Sequence, residues 1–387
     1  MQYIFLNRAP GPQWKQNEPA SVTDALFHEP LDAIGVKGTP DRRLGLAFIL
    51  SYFNGPLDSM EESLRRLLAL SEKQDTPVLL ALDGENWWGS RPDLWNWFDP
   101  SRPGYNPANR QNVEWTGWDP SDAVKIGWRN WGSQIRVLPQ PNLASPRFRE
   151  ASRVPLARLA KIIKNWGDSL PDNRRYLYPG IKVGWEASLG INAFYYPDGN
   201  RYWEMSPTDA SKDPKHGLDM KKDFAGGLTP LGYAALTSKG WKHNGPVTLA
   251  DQERITADYL DFISGVCRRA GIPRTELFTH SGGQFSPWEL HYSHRVAINR
   301  NAIPGWSLYG HGPEKAGDLG ESLTRAKMEE WCAAEWLPHA TTAAEWARAY
   351  EDVLSFRRCR FVDLYNWEGI RNKPEAIEGL RRALRPR

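Results

Sequence analysis

Residues 44–52 read LGLAFILSY and residues 77–83 read PVLLALD. Neither run alternates apolar with polar residues. Continuous apolar runs this short fit parallel strands covered on both faces. Working outward from them, six more candidates appear: residues 3–7, 180–186 (GIKVGWE), 275–280 (TELFTH), 305–309 (GWSLY), 331–335 (WCAAE) and 360–366 (RFVDLYN). Residues 134–138 (QIRVL) are the substitute should 3–7 lie outside the sheet. Amphipathic segments fill the intervals. Ser59 with Glu62, Thr248 with Asp251 and Thr342 with Glu345 have capping-box spacing and open helices running to about residues 70, 270 and 356. Further helices are expected over 147–166, 322–330 and 374–384. Eight strands, each followed by helical material, predict an α/β fold, a single (β/α)8 barrel over residues 1–387.

Composition narrows the function classes. The 387 residues carry a net charge of only +3 and no Lys/Arg run, so nothing marks a nucleic-acid partner. The longest apolar runs are too short to cross a bilayer, so no membrane partner is expected. Three cysteines form no CxxC and are expected to be reduced, without a disulfide framework. The N-terminus lacks a signal-peptide pattern, which leaves a cytoplasmic location or export after removal of a leader. Oligomeric state is not written in these features.

Two long insertions, over about 84–145 and 187–247, follow the third and fourth strands. They therefore extend from the strand-to-helix face, where barrels of this class carry their sites. The first holds eight of the 19 Trp: Trp87, Trp88, Trp95, Trp97, Trp115, Trp118, Trp128 and Trp131. Several must pack the loop itself, and a minority remain to present flat faces to a ligand. Trp87 and Trp88, next to the third strand, are the clearest of these.

Reactive groups are expected at strand C-termini. Tyr52 and Asn54 end the second strand, Asp83, Glu85 and Asn86 the third, and Trp185 and Glu186 the fourth. His280 ends the fifth, Tyr309 and His311 the sixth, Glu335 the seventh, and Asn366, Trp367 and Glu368 the eighth. Glu186 and Glu335 each close an apolar run, on strands nearly opposite in an eight-membered ring. Two carboxyls flanking one bond are what glycosidic cleavage requires: one protonated to assist departure, one ionised to attack.

An acidic residue after strand four and another after strand seven resembles the large clan of retaining (β/α)8 glycoside hydrolases that includes the cellulase-like and β-galactosidase-like families. The resemblance implies a carbohydrate substrate, no cofactor, Glu186 as acid/base and Glu335 as nucleophile. His280, Tyr309 and Trp367 match the clan's frequent His near strand five, Tyr beside the nucleophile and Trp ending strand eight. The clan commonly has Asn before its strand-four Glu, bound to the sugar 2-hydroxyl, whereas Trp185 stands here. That bond then falls to Asn54, Asn86 or Glu85, or the substrate differs at that carbon, or the acid is another residue. Asp83, Glu85, Asn86 and His280 would bind hydroxyls. Trp87, Trp88, Trp185 and Trp367 would wall the subsite. The large insertions favour a pocket and exo action.

Other readings remain open. An inverting glycosidase differs only in the separation of the two carboxyls. A non-catalytic carbohydrate-binding barrel would keep the Trp platforms alone. A metal-dependent sugar-processing barrel could use Asp83, His280, His311 and Asp363, or Glu289 with His291 and His294. Glu368 is the rival base. No G-x-G-x-x-G, Walker loop or G-x-S-x-G occurs, so nucleotide and serine-hydrolase chemistry lack support.

Overall fold

The computed structural model describes residues 1–8, 10–85, 87–124, 127–130, 134–137, 139–189, 193–194, 228–282, 292–310 and 312–385. Eight parallel strands close a barrel: β1 (Gln2–Arg8), β2 (Arg42–Ser51), β3 (Val78–Asp83), β4 (Ile181–Ala187), β5 (Leu277–Ser281), β6 (Gly305–Tyr309), β7 (Glu330–Leu337) and β8 (Arg358–Leu364). Neighbours in the ring are neighbours in sequence, and β8 pairs with β1. The chain is a (β/α)8 barrel. Residues 134–137 instead pair antiparallel with 127–130, outside it.

The principal helices are α1 (Ala25–Ile34), α2 (Leu57–Lys73), α3 (Pro146–Ser169), α4 (Tyr233–Lys239), α5 (Leu249–Arg269), α6 (Leu319–Arg325), α7 (Ala343–Ser355) and α8 (Pro374–Leu384). The capping boxes at Thr248 and Thr342 are formed. Ser59 is not a cap, because α2 begins two residues earlier, after Pro56 in an extended conformation. The helix expected over 322–330 starts and stops earlier, since Lys327 adopts a left-handed φ of 53° and β7 begins at Glu330. Between β5 and β6 the described residues hold only a 3-10 turn, His294–Ala297. Among the described residues no helix is long and apolar enough to cross a membrane.

The barrel interior is layered, as alternation along each strand requires. Tyr3, Phe5, Leu79, Phe278 and Phe361 form an apolar layer with Ala47, Cys332 and Ala334. The Phe361 ring meets Phe278 edge-on at 4.8 Å and Phe5 at 5.5 Å. Gly45 makes room for Phe5, because a Cβ there would lie 2.5 Å from its ring. One step nearer the C-terminal face the lining becomes polar: Asn7, Lys182 and Asp363, all fully buried.

The first insertion has its own core. The indoles of Trp88, Trp95, Trp97 and Trp115 are buried, and each N–H donates to a carbonyl within the insertion. The carboxyl of Glu114 joins it to the second insertion, accepting from the N–H groups of Gly232 (3.0 Å) and Ala234 (3.2 Å) at the start of α4. Burial pushes this carboxyl up to about 8, although those backbone donors pull it down. A carboxyl raised on folding binds its proton more tightly when native, so its contribution is complete at low pH and is lost as pH rises through about 8. Thermal unfolding of Glu114→Gln should therefore show a flatter pH profile. It should exceed wild type by a few degrees above about pH 8 and match it near pH 5.

Candidate active site

Both strands that carry the predicted carboxylates break their ladder just before them. On β7 the pairing with β6 passes from Trp306–Ala333 to Ser307–Glu335, so Ala334 is the extra residue of a bulge. On β4 the register with β5 slips between Val183 and Ala187. There Gly184 has φ 79° and Glu186 itself φ 48°, a left-handed conformation uncommon for a side chain with a Cβ. A Cβ on Gly184 would sit 3.2 Å from the His280 carbonyl. Bulges re-aim side chains at the rims of barrels, and here they precede Glu186 and Glu335.

The two carboxyls are buried, 5% and 2% exposed, and lie within electrostatic reach of each other. Ser307 on β6 donates to Glu186 Oε1 at 2.6 Å and lies 2.8 Å from His280 Nε2. With Ser307 donating to Glu186, the imidazole donates from Nε2; a protonated Glu186 can reverse both bonds. Burial, with the nearby Lys182 charge, keeps His280 well below its ordinary range and hence neutral. Tyr309 donates its hydroxyl to Glu335 Oε1. Burial and the two carboxyls hold Tyr309 well above the ordinary phenol range, so it stays a donor.

Burial and the Glu186 charge drive Glu335 strongly upward, against the pull of Lys182 and Tyr309. Two carboxylates so placed cannot both ionise freely.

The other expected residues divide. Asp83 is fully buried at the end of β3. Trp185 is 7% exposed and meets the His280 ring edge-on at 5.5 Å, beside the pair. Trp87 in the first insertion is 42% exposed. Asn86, Glu289, His291 and His311 lie outside the described residues.

Several expectations are corrected. Trp88 is buried against Phe148, its indole bound to the Pro139 carbonyl, so it presents no face to the mouth. Trp367 turns back from the barrel and donates to Glu29. Tyr365, two residues earlier and 37% exposed, is raised by burial and by the charges of Glu335 and Glu186, which places it beside the pair. Glu85 is committed to structure: it accepts from Tyr259 at 3.0 Å and from the Trp185 N–H at 3.3 Å. His280 is fully buried and meets Glu186 through Ser307. Asn54 is exposed and accepts from Ser90. The rival base Glu368 is bound at 2.8 Å by the buried guanidinium of Arg8.

Among the described residues no group of three His, Cys, Asp or Glu side chains is set to hold a metal ion. Of the metal readings, Asp363 is bound to Lys182 and His294 to Asp318. A groove of about 690 Å³ lies elsewhere, between α5 and α6; its acids Glu253, Asp318 and Glu321 are already paired with Arg295, His294 and Arg325.

Ser307 and Lys182 were not singled out in the sequence. A lysine inside GIKVGWE was the readable signal, since a charge in a strand buried on both faces demands a partner.

No protein-family model matches the chain, and no curated protein sequence is significantly similar to it. Solved structures do align. A β-1,4-D-mannanase from Cryptopygus antarcticus is 10% identical, with a TM-score of 0.45 and coverage of 98% of this chain and 90% of that one. A GH5-4 broad specificity endoglucanase from an uncultured bacterium is 9% identical, with a TM-score of 0.41 and coverage of 94% and 85%. A ruminal GH26 endo-β-1,4-mannanase is 11% identical, with a TM-score of 0.42 and coverage of 98% and 62%. Likenesses this distant assign no activity.

Removing the Ser307 hydroxyl tests its part in the site. A hydrogen bond to a charged group is worth about 1.5–3 kcal/mol. Ser307→Ala should therefore lower turnover roughly 10- to 100-fold, with KM little changed, in steady-state assays on a substrate with a poor leaving group.

Proposed function

We propose that the protein is a glycoside hydrolase that cleaves an oligo- or polysaccharide by retaining double displacement. The observation that carries this reading is the pair of buried carboxyls at the barrel mouth, Glu186 and Glu335, differently partnered. Glu186 faces a hydroxyl that can give or take a proton, through Ser307 to neutral His280. Glu335 faces a phenol that only donates.

In the first step Glu335 attacks the anomeric carbon as the bond to the leaving oxygen breaks, and Glu186 passes its proton to that oxygen. In the second step Glu186 takes a proton from water. The water oxygen bonds the anomeric carbon and the bond to Glu335 breaks. Tyr309 holds the attacking carboxylate and relinquishes nothing in either step. Trp87 and Tyr365 offer exposed rings on which the apolar face of a sugar can stack. Asp83 is the acceptor at the end of β3 for a substrate hydroxyl. The insertion over 84–145, docked on α4 through Glu114, rises on the C-terminal face and supports exo action on a short glycan.

The test is release of reducing sugar from a panel of gluco-, manno-, galacto- and xylo-oligosaccharides, comparing wild type with the Glu186→Gln and Glu335→Gln variants. Cleavage by wild type that both variants lose supports the reading. Undiminished cleavage by either variant, or saccharide binding without cleavage in wild type, sinks it.

A further inference from the structure

Lys182 sits on β4 four residues before Glu186, wholly inside the barrel. Its ammonium donates to Asp363 Oδ2 on β8 at 2.6 Å and to the carbonyl of Ala334 at 2.5 Å. Ala334 is the extra residue of the β7 bulge and immediately precedes Glu335. It is also passed over in the pairing with β8, which jumps from Ala333–Val362 to Trp336–Leu364. Its carbonyl is turned from the ladder into the barrel, where a buried acceptor needs a donor. Lys182 is that donor, and Asn7 on β1 completes the layer through Asp363 at 3.2 Å.

We propose that Lys182 is a positioning residue of this site: its ammonium fixes the bulge that aims Glu335 and supplies a buried positive charge that acts on that carboxyl. The proposal rests on the reading of Glu335 as the nucleophile. Glu335 is faced by Glu186 from β4, Tyr309 from β6, and Asp363 and Tyr365 from β8 and its end. Lys182 itself is faced by Asp363, by the Trp185 ring at 5.0 Å, by neutral His280 and by the Cys332 thiol. In that company it is a cation that acts on Glu335. Without it, burial and Glu186 both oppose the charge that attack requires. A lysine at this depth on stability grounds alone would be a poor bargain, since an apolar pair commonly packs as well as a buried ion pair.

The experiment compares wild type, Lys182→Met, and Lys182→Met combined with Asp363→Asn, the last leaving no stranded charge. Carboxyl titration is followed by difference infrared spectroscopy, with Glu335 assigned by subtracting Glu335→Gln in each background. The acidic limb of kcat/KM on an aryl glycoside is measured alongside. An opposite charge at close range lowers a carboxyl by about one to three units. Lys182→Met should therefore titrate Glu335 at least about one unit higher than wild type, and the double variant higher by less because Asp363 itself raises Glu335, with the acidic limb moving the same way. An unmoved infrared titration with only lower thermal stability, or failure of both variants to fold, would make Lys182 purely structural and overturn the proposal. If wild type cleaves no glycoside, the hydrolase reading fails on its own, while the infrared titration still decides the role of Lys182.

Discussion

Glu335→Ala should lower turnover of every substrate by at least ~10⁴-fold, the scale on which removal of a covalent nucleophile acts. Glu335 is the carboxyl toward which Tyr309 donates and Lys182 directs its field. The cavity left by the truncated side chain can admit a small anion. Added azide should then restore turnover of an activated aryl glycoside, and the glycosyl azide formed should have the anomeric configuration opposite to the substrate, because a single displacement replaces two. Product analysis by NMR reads the configuration directly. Rescue with retained configuration would move the nucleophile to another residue.

Glu186→Gln should discriminate between leaving groups. Proton donation contributes about 10²–10⁴-fold when the departing oxygen is a poor leaving group and little when it departs as a stable phenolate. The variant should lose that factor on a saccharide and far less on a dinitrophenyl glycoside in the glycosylation step. Pre-steady-state kinetics should show a burst with the activated substrate, because deglycosylation now lacks its base. Equal losses on both substrates would mean that Glu186 is not the acid. In the proposed mechanism Glu186 serves both steps, and a neutral imidazole behind the Ser307 hydroxyl accepts either polarity of the hydrogen-bond chain.

The barrel was legible because its physics is repetitive. Strands covered on both faces must be apolar throughout, and all eight runs read that way occupy the ring. The Thr248 and Thr342 caps were legible for the same reason, since the reciprocal bonds need a fixed spacing. The helix α1 carried no such cap and has Pro30 in its interior, so no local pattern announced it.

Within the site, Glu186 and Glu335 stand out by position and Tyr309 by the resemblance, whereas Ser307 does not. Ser307 is one small polar residue in GWSLY, and nothing local says that its hydroxyl meets a side chain 121 residues away. Aromatic residues misled by type. Trp367 was expected at the mouth because the resembling clan often has a Trp ending strand eight, yet the chain turns after β8 and carries the indole back to Glu29. The Trp-rich insertion packs as expected, except that Trp88 joins its core. A long loop needs its own core, and most of its described indoles, each with an N–H to satisfy, were used there.

Double displacement between Glu335 and Glu186 inverts the anomeric carbon twice. Its most direct test is proton NMR of the first-formed hemiacetal during hydrolysis by wild type, recorded before mutarotation. The product should have the anomeric configuration of the substrate. A first product of the opposite configuration would contradict it, because Glu335 would then never have been bonded to the sugar.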